Sequence, residues 1–87
     1  MKIKNGFMLR NIAGNNLIIG VGEAAGVLNG VVTLNETGVF LWNLLVKGCE
    51  IEELILALMD EYEVSEQVAT GDVNSFVNKL VNAKIAE

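Results

Sequence analysis

The chain has 87 residues, enough for one modest core, since a chain of this size buries only roughly 60 to 65% of its unfolded surface. Apolar residues at 52% place it among folded rather than disordered chains, while the absence of His and the single Cys49 exclude an ordinary zinc site and an internal disulfide. The net charge of −5 is uneven: up to Leu34, Lys2, Lys4 and Arg10 stand against Glu23 alone, whereas beyond it Lys47, Lys79 and Lys84 stand against ten carboxylates.

No apolar run approaches the roughly 18 residues of a membrane span, and the start, Met1-Lys-Ile-Lys, lacks the apolar stretch of a secretory signal. A cytoplasmic protein of one domain, residues 1–87, is expected. Lys2 to Gly6 read as a frayed start. Phe7 to Ile12 alternates as a first strand, with Phe7 and Leu9 on one face. Gly14-Asn15-Asn16 reads as the turn, and Leu17 to Val21 as a second strand with Leu17, Ile19 and Val21 inward and Ile18 and Gly20 on the other face. Small residues from Gly22 to Gly26 form a connection to a third strand over 27–34. The dipeptide Asn29-Gly30 introduces its β-branched part, Val31, Val32 and Thr33, which ends at Leu34.

There the period changes from two to 3.6. Thr33 and Glu36 match a capping box, and Asn35 is an equally good single N-cap, so a helix starts within one turn of the strand's end. It runs over 35–46 with Leu41, Trp42, Leu44 and Leu45 on its apolar side, and Lys47-Gly48 stops it. A second helix over 50–62 carries Ile51, Leu54, Ile55, Leu58 and Tyr62 as a single buried stripe, its other face acidic. Ser65 caps a third over 65–85, where Ala69, Val73, Phe76 and Leu80 face the core, flanked by Val77, Val81 and Ile85. Gly71 interrupts it, at a cost of about 1 kcal/mol relative to Ala.

Three short strands and three helices cannot each bury an apolar face alone, so the expectation is an α+β arrangement in which helices cover one side of a small antiparallel sheet. That sheet keeps an open edge. Natural edges are blunted by Lys, Pro or a bulge, yet the third strand contains no charge and no Pro. Either another chain pairs there or the protein associates with itself, which makes a homodimer through the exposed edge one alternative. Catalytic chemistry has no foothold. Cys49 lies between Gly48 and Glu50, without the base or positive surroundings that activate a thiol. Glu50, Glu52 and Glu53 have a plainer role at a helix N-terminus. No Gly-rich phosphate loop is present either. DNA binding, the usual work of helix-turn-helix folds, would need a basic stripe, and the third helix sets Lys79 and Lys84 against Glu66, Asp72 and Glu87.

The run Asn29-Gly-Val-Val-Thr-Leu-Asn-Glu-Thr-Gly-Val-Phe-Leu-Trp42, with the preceding Leu-Ile-Ile strand and with Asp72-Val73 and Phe76 far downstream, resembles the PQQ-synthesis protein D (PqqD) family. That family is also known as the peptide recognition elements of ribosomal peptide natural-product pathways. The resemblance extends from about Phe7 to Ile85 and is most specific between Gly30 and Trp42. It implies a winged helix-turn-helix-like domain, neither enzyme nor cofactor binder, that holds the leader of a precursor peptide and brings it to a modifying enzyme, often a radical SAM protein or a peptidase and cyclase set. Strand addition on Gly30, Val31, Val32, Thr33 and Leu34 would seat the leader, with Asp72, Val73, Phe76, Val77 and Leu80 at or beside its groove. Two departures favour the general family over its PQQ branch. The connection from Gly20 to Asn29 is longer than the turn of the PQQ proteins proper, and Lys84 stands where a Gly is usual.

Overall fold

The computed structural model describes residues 1–22, 24 and 32–87. Three antiparallel strands, β1 (Phe7–Ile12), β2 (Asn15–Gly20) and β3 (Val32–Leu34), precede three helices, α1 (Glu36–Val46), α2 (Ile51–Tyr62) and α3 (Glu66–Asn82). The sheet order is β1-β2-β3, so β2 is central and β3 lies at an edge. The expectations for Val27 to Val31 and for most of the connection before them lie outside the described residues.

The first hairpin turns on Ala13 and Gly14, whose φ angles of 52° and 82° are both left-handed, as a two-residue I′-type connection requires. The turn is therefore one residue earlier than expected, and β2 starts at Asn15. This position sets the register: Leu9 pairs with Ile18, and Arg10 with Leu17. Paired residues share a face, so Ile18 joins Phe7 and Leu9 on the helix side and is completely buried. The expectation that Leu17, Ile19 and Val21 point inward is thus overturned, and Val21 is 42% exposed. A one-residue shift of a turn exchanges the two faces of a strand.

Neither end of the chain is frayed. Ile3 bridges Ala86, the Lys2 amide donates to the Glu87 carbonyl (2.9 Å), the Glu87 amide donates back to Lys2 (3.0 Å), and the Lys4 amide donates to Ile85 (2.8 Å). The reading of Lys2 to Gly6 as loose is corrected: Ile85 and Ala86 are buried beneath this short pairing.

Each helix begins on a cap. Asn35 caps α1 by accepting from the Gly38 amide at 2.8 Å, so of the two readings at that junction the single cap holds. The Glu53 carboxylate accepts from the Glu50 amide at the start of α2 (2.9 Å), and Ser65 Oγ accepts from Val68 at the start of α3 (3.2 Å). Gly48, at φ 98°, follows α1 and donates to the Leu45 carbonyl. α3 passes through Gly71 without a break and ends at Asn82, three residues before the expected end.

Helical spacing places Leu41, Trp42 and Leu45 of α1, Leu54 and Leu58 of α2, and Ala69, Val73, Phe76, Val77 and Leu80 of α3 in one core with Ile18, Leu34, Ile85 and Ala86. Leu44, Ile51 and Ile55 are half-buried around it. Tyr62 departs from its expected buried stripe. It is 37% exposed and meets Phe40 edge-on, with ring centroids 5.6 Å apart at 89°.

Candidate functional site

The open edge of β3 is defined by hydrogen-bond alternation. Ile12 and Asn15 close the two-residue turn, so Asn15, Leu17 and Ile19 bond to β1 while Asn16 and Ile18 bond to β3. Asn16 pairs with Leu34 and Ile18 with Val32, which makes Leu17 and Thr33, facing each other between them, the non-bonded pair. The N–H and C=O of Thr33 consequently point away from the sheet. At that edge the Lys79 ammonium of α3 donates to the Thr33 carbonyl oxygen at 3.4 Å. Among the described residues no main chain pairs with β3 on that side.

Beside this edge a groove of about 180 Å³ runs between the end of β3, the first turn of α1 and one face of α3. Leu34 and Asn35 form its near wall, Thr37, Gly38 and Leu41 its end, and Asp72, Ser75, Phe76 and Lys79 its far wall. The last four recur at helical spacing, so a single face of α3 supplies them. The groove depends on the close approach of α1 to β3. A Cβ on Gly38 would stand 3.2 Å from the Leu34 side chain and 3.3 Å from Asn35 Oδ1, tighter than most packed contacts, so those neighbours would have to shift by a few tenths of an ångström. Leu34, Leu41 and Phe76, each less than a tenth exposed, supply its apolar part, beside the polar Asn35, Thr37, Asp72, Ser75 and Lys79. Asp72 and Lys79 place opposite charges at points two helical turns apart.

The residues expected from sequence divide. Leu34, Asp72 and Phe76 come together in the groove, and Thr33 presents the free backbone edge beside it. Val32 is half-buried next to them. Val73 and Leu80 have no exposed surface and Val77 is 8% exposed, so these three support the groove from within the core. Gly30 and Val31 lie outside the described residues. Sequence reasoning missed Asn35, Thr37, Gly38, Leu41, Ser75 and Lys79 as groove residues. Lys79 and Ser75 carried a usable signal, sharing the helical face of Asp72 and Phe76.

Among the described residues no group of three His, Cys, Asp or Glu side chains is placed to hold a metal ion, and no helix is long and apolar enough to cross a membrane. Cys49 is half-buried and free.

A three-stranded antiparallel sheet followed by three helices, with an open strand edge beside the last helix, defines a small winged helix-turn-helix-like α+β fold. The chain belongs to the coenzyme PQQ synthesis protein D (PqqD) family, whose family model matches residues 19–86. Two solved structures share the fold. One is TbiB1 in complex with the TbiA(beta) leader peptide, 24% identical, with a TM-score of 0.79 over 100% of this chain and 95% of that one. The other is a lasso peptide synthetase B1 complexed with the leader peptide, 17% identical, with a TM-score of 0.76 over 99% of this chain and 95% of that one. No curated protein matches in sequence.

Proposed function

We propose that this chain is a non-catalytic adaptor that binds the leader of a ribosomally made precursor peptide and presents it to a modifying enzyme. The observation that carries this reading is the outward N–H and C=O of Thr33 at an edge that no main chain pairs with among the described residues, directly beside a groove of side-chain size. An extended peptide would exchange two backbone hydrogen bonds with Thr33. Its residues on either side of that pair would point, like Val32 and Leu34, toward α3. A cavity of about 150 Å³ is enough to hold benzene, so the groove accommodates one apolar side chain over Leu34, Leu41 and Phe76. Membership in the PqqD family and the leader-bound state of both structural relatives support the same reading.

Magnitudes bound the affinity. Two backbone hydrogen bonds at about 1 kcal/mol each and one buried anchor at about 2 kcal/mol give roughly 4 kcal/mol, half of what micromolar binding needs. Ordering the peptide subtracts about 2 to 5 kcal/mol more. Useful binding therefore requires a peptide long enough to run along α3 past the groove, contacting the helix as well as the edge. The adaptor then acts by raising the local concentration of precursor at its enzyme, a radical SAM protein or a peptidase and cyclase set. The test is an amide NMR titration with leader segments of short precursor reading frames neighbouring the gene. Shifts concentrated at Thr33, Leu34 and the groove face of α3 are expected; spectra unmoved at a hundredfold peptide excess would refute the reading.

A further inference from the structure

The edge of β3 escapes the usual rules for an exposed strand, since Val32, Thr33 and Leu34 include no charge and no Pro. The structure shows what stands in for them. Lys79, 46 positions later, reaches over from α3 and places its ammonium on the carbonyl that a neighbouring strand would bond first. A strand pairing there must share or displace that donor. Displaced from that carbonyl, the exposed ammonium turns to solvent, because among the described residues no carboxylate lies within ion-pair distance of Lys79. Asp72, the other charge of the groove, is seven residues earlier, roughly 10 Å along the helix.

We propose that Lys79 is a specificity-determining residue that selects peptides carrying an Asp or Glu side chain beside the strand pairing; this rests on the strand-addition reading above. In the free protein Lys79 covers the Thr33 carbonyl. When a peptide N–H takes that carbonyl, the ammonium turns to a carboxylate on a peptide residue flanking the one paired with Thr33. Only those flanking residues project toward α3, so the preference is confined to a fixed place in the bound segment. A peptide lacking the carboxylate leaves the ammonium to share the carbonyl or return to solvent, and forgoes the ion pair. The same device disfavours pairing with a second copy of β3, whose own Lys79 would bring like charge to the shared edge.

The experiment is selection of a displayed random 12-residue peptide library on the intact chain and on the exposed-site variants Lys79→Met and Lys79→Glu, each confirmed folded by circular dichroism. Wild type should enrich Asp or Glu at one position fixed relative to an apolar anchor. Lys79→Met should lose that enrichment but keep the anchor, and Lys79→Glu should replace it with Lys or Arg. For one selected peptide, exchanging its acid for the amide should weaken binding to wild type about two- to fivefold, the range of an exposed ion pair, and leave Lys79→Met unaffected. An acidic preference that survives in Lys79→Met, or binders with no acidic position, overturns the role of Lys79 alone. Failure of all three folded proteins to retain any peptide overturns strand addition itself, and this proposal with it.

Discussion

The amide of Ile85 donates to the carbonyl of Leu80 at 2.9 Å, across a Lys84 held at φ 62°. With the Lys84 amide donating to Val81 at 3.0 Å, this is a Schellman closure of α3, and Leu80 and Ile85, both completely buried, form its accompanying apolar contact. A left-handed residue with a Cβ costs roughly 1 to 2 kcal/mol that Gly avoids. The residue that departs from the family pattern therefore occupies the conformation that explains the pattern. Lys84→Gly should stabilise the chain by about 1 kcal/mol, read as a higher urea midpoint at unchanged slope.

The first hairpin carries a similar strain at Ala13, where φ is 52°. Asn before Gly is the favoured pair for a turn with two left-handed residues. Ala13→Asn should add about 0.5 to 1 kcal/mol in thermal denaturation. Ala13→Val, β-branched at the same angle, should lower the melting temperature.

Gly6 answers differently, because space and backbone both exclude a side chain. Its φ is 93°, and a Cβ there would stand 2.8 Å from the Cβ of Ala24 and 3.1 Å from the Val21 carbonyl oxygen. The Gly6 carbonyl also accepts from the Val21 amide at 2.7 Å, fastening the approach to β1 against the end of β2. Gly6→Ala should destabilise by about 2 kcal/mol or more, measured by chemical denaturation.

Gly71 has open space around it in mid-helix. Gly71→Ala should raise stability by about 1 kcal/mol. Because Gly71 is not among the groove residues, leader affinity should be unchanged in calorimetry; a weakened complex would show that a peptide backbone passes against it.

Thr33→Pro separates the edge from the fold. Its N–H points away from β2, so proline removes a donor that the sheet does not use. Circular dichroism should remain native while leader binding weakens about tenfold, the loss of one strand-adding hydrogen bond at about 1 to 1.5 kcal/mol. The same substitution at Val32, whose amide bonds toward Ile18, should unfold the edge of the sheet.

The helical half of the chain was readable because its signals are local. Ala69, Val73, Phe76 and Leu80 lie on one side of any helix at that spacing, and Asn35 and Ser65 announce the starts of α1 and α3 beside their own backbone. The sheet was readable in outline only. Leu17, Ile18 and Ile19 are all apolar, so alternation could not say which was inward. The choice fell to a turn whose left-handed Ala13 breaks the usual residue preference. At the site, Asp72 and Phe76 were visible through family resemblance. Lys79 could be reached only through its helical spacing from Asp72 and Phe76, and its meeting with Thr33 is set by how α3 lies across the sheet and by nothing near either residue in the chain.

The pairing of residues 2–4 with residues 85–87 gives the fold a single doorway. Polypeptide attached ahead of residue 1 and polypeptide attached after residue 87 would leave from neighbouring points. The unit can thus be spliced into a surface loop of a larger enzyme, or have its ends joined and be reopened elsewhere, with little distortion of the host.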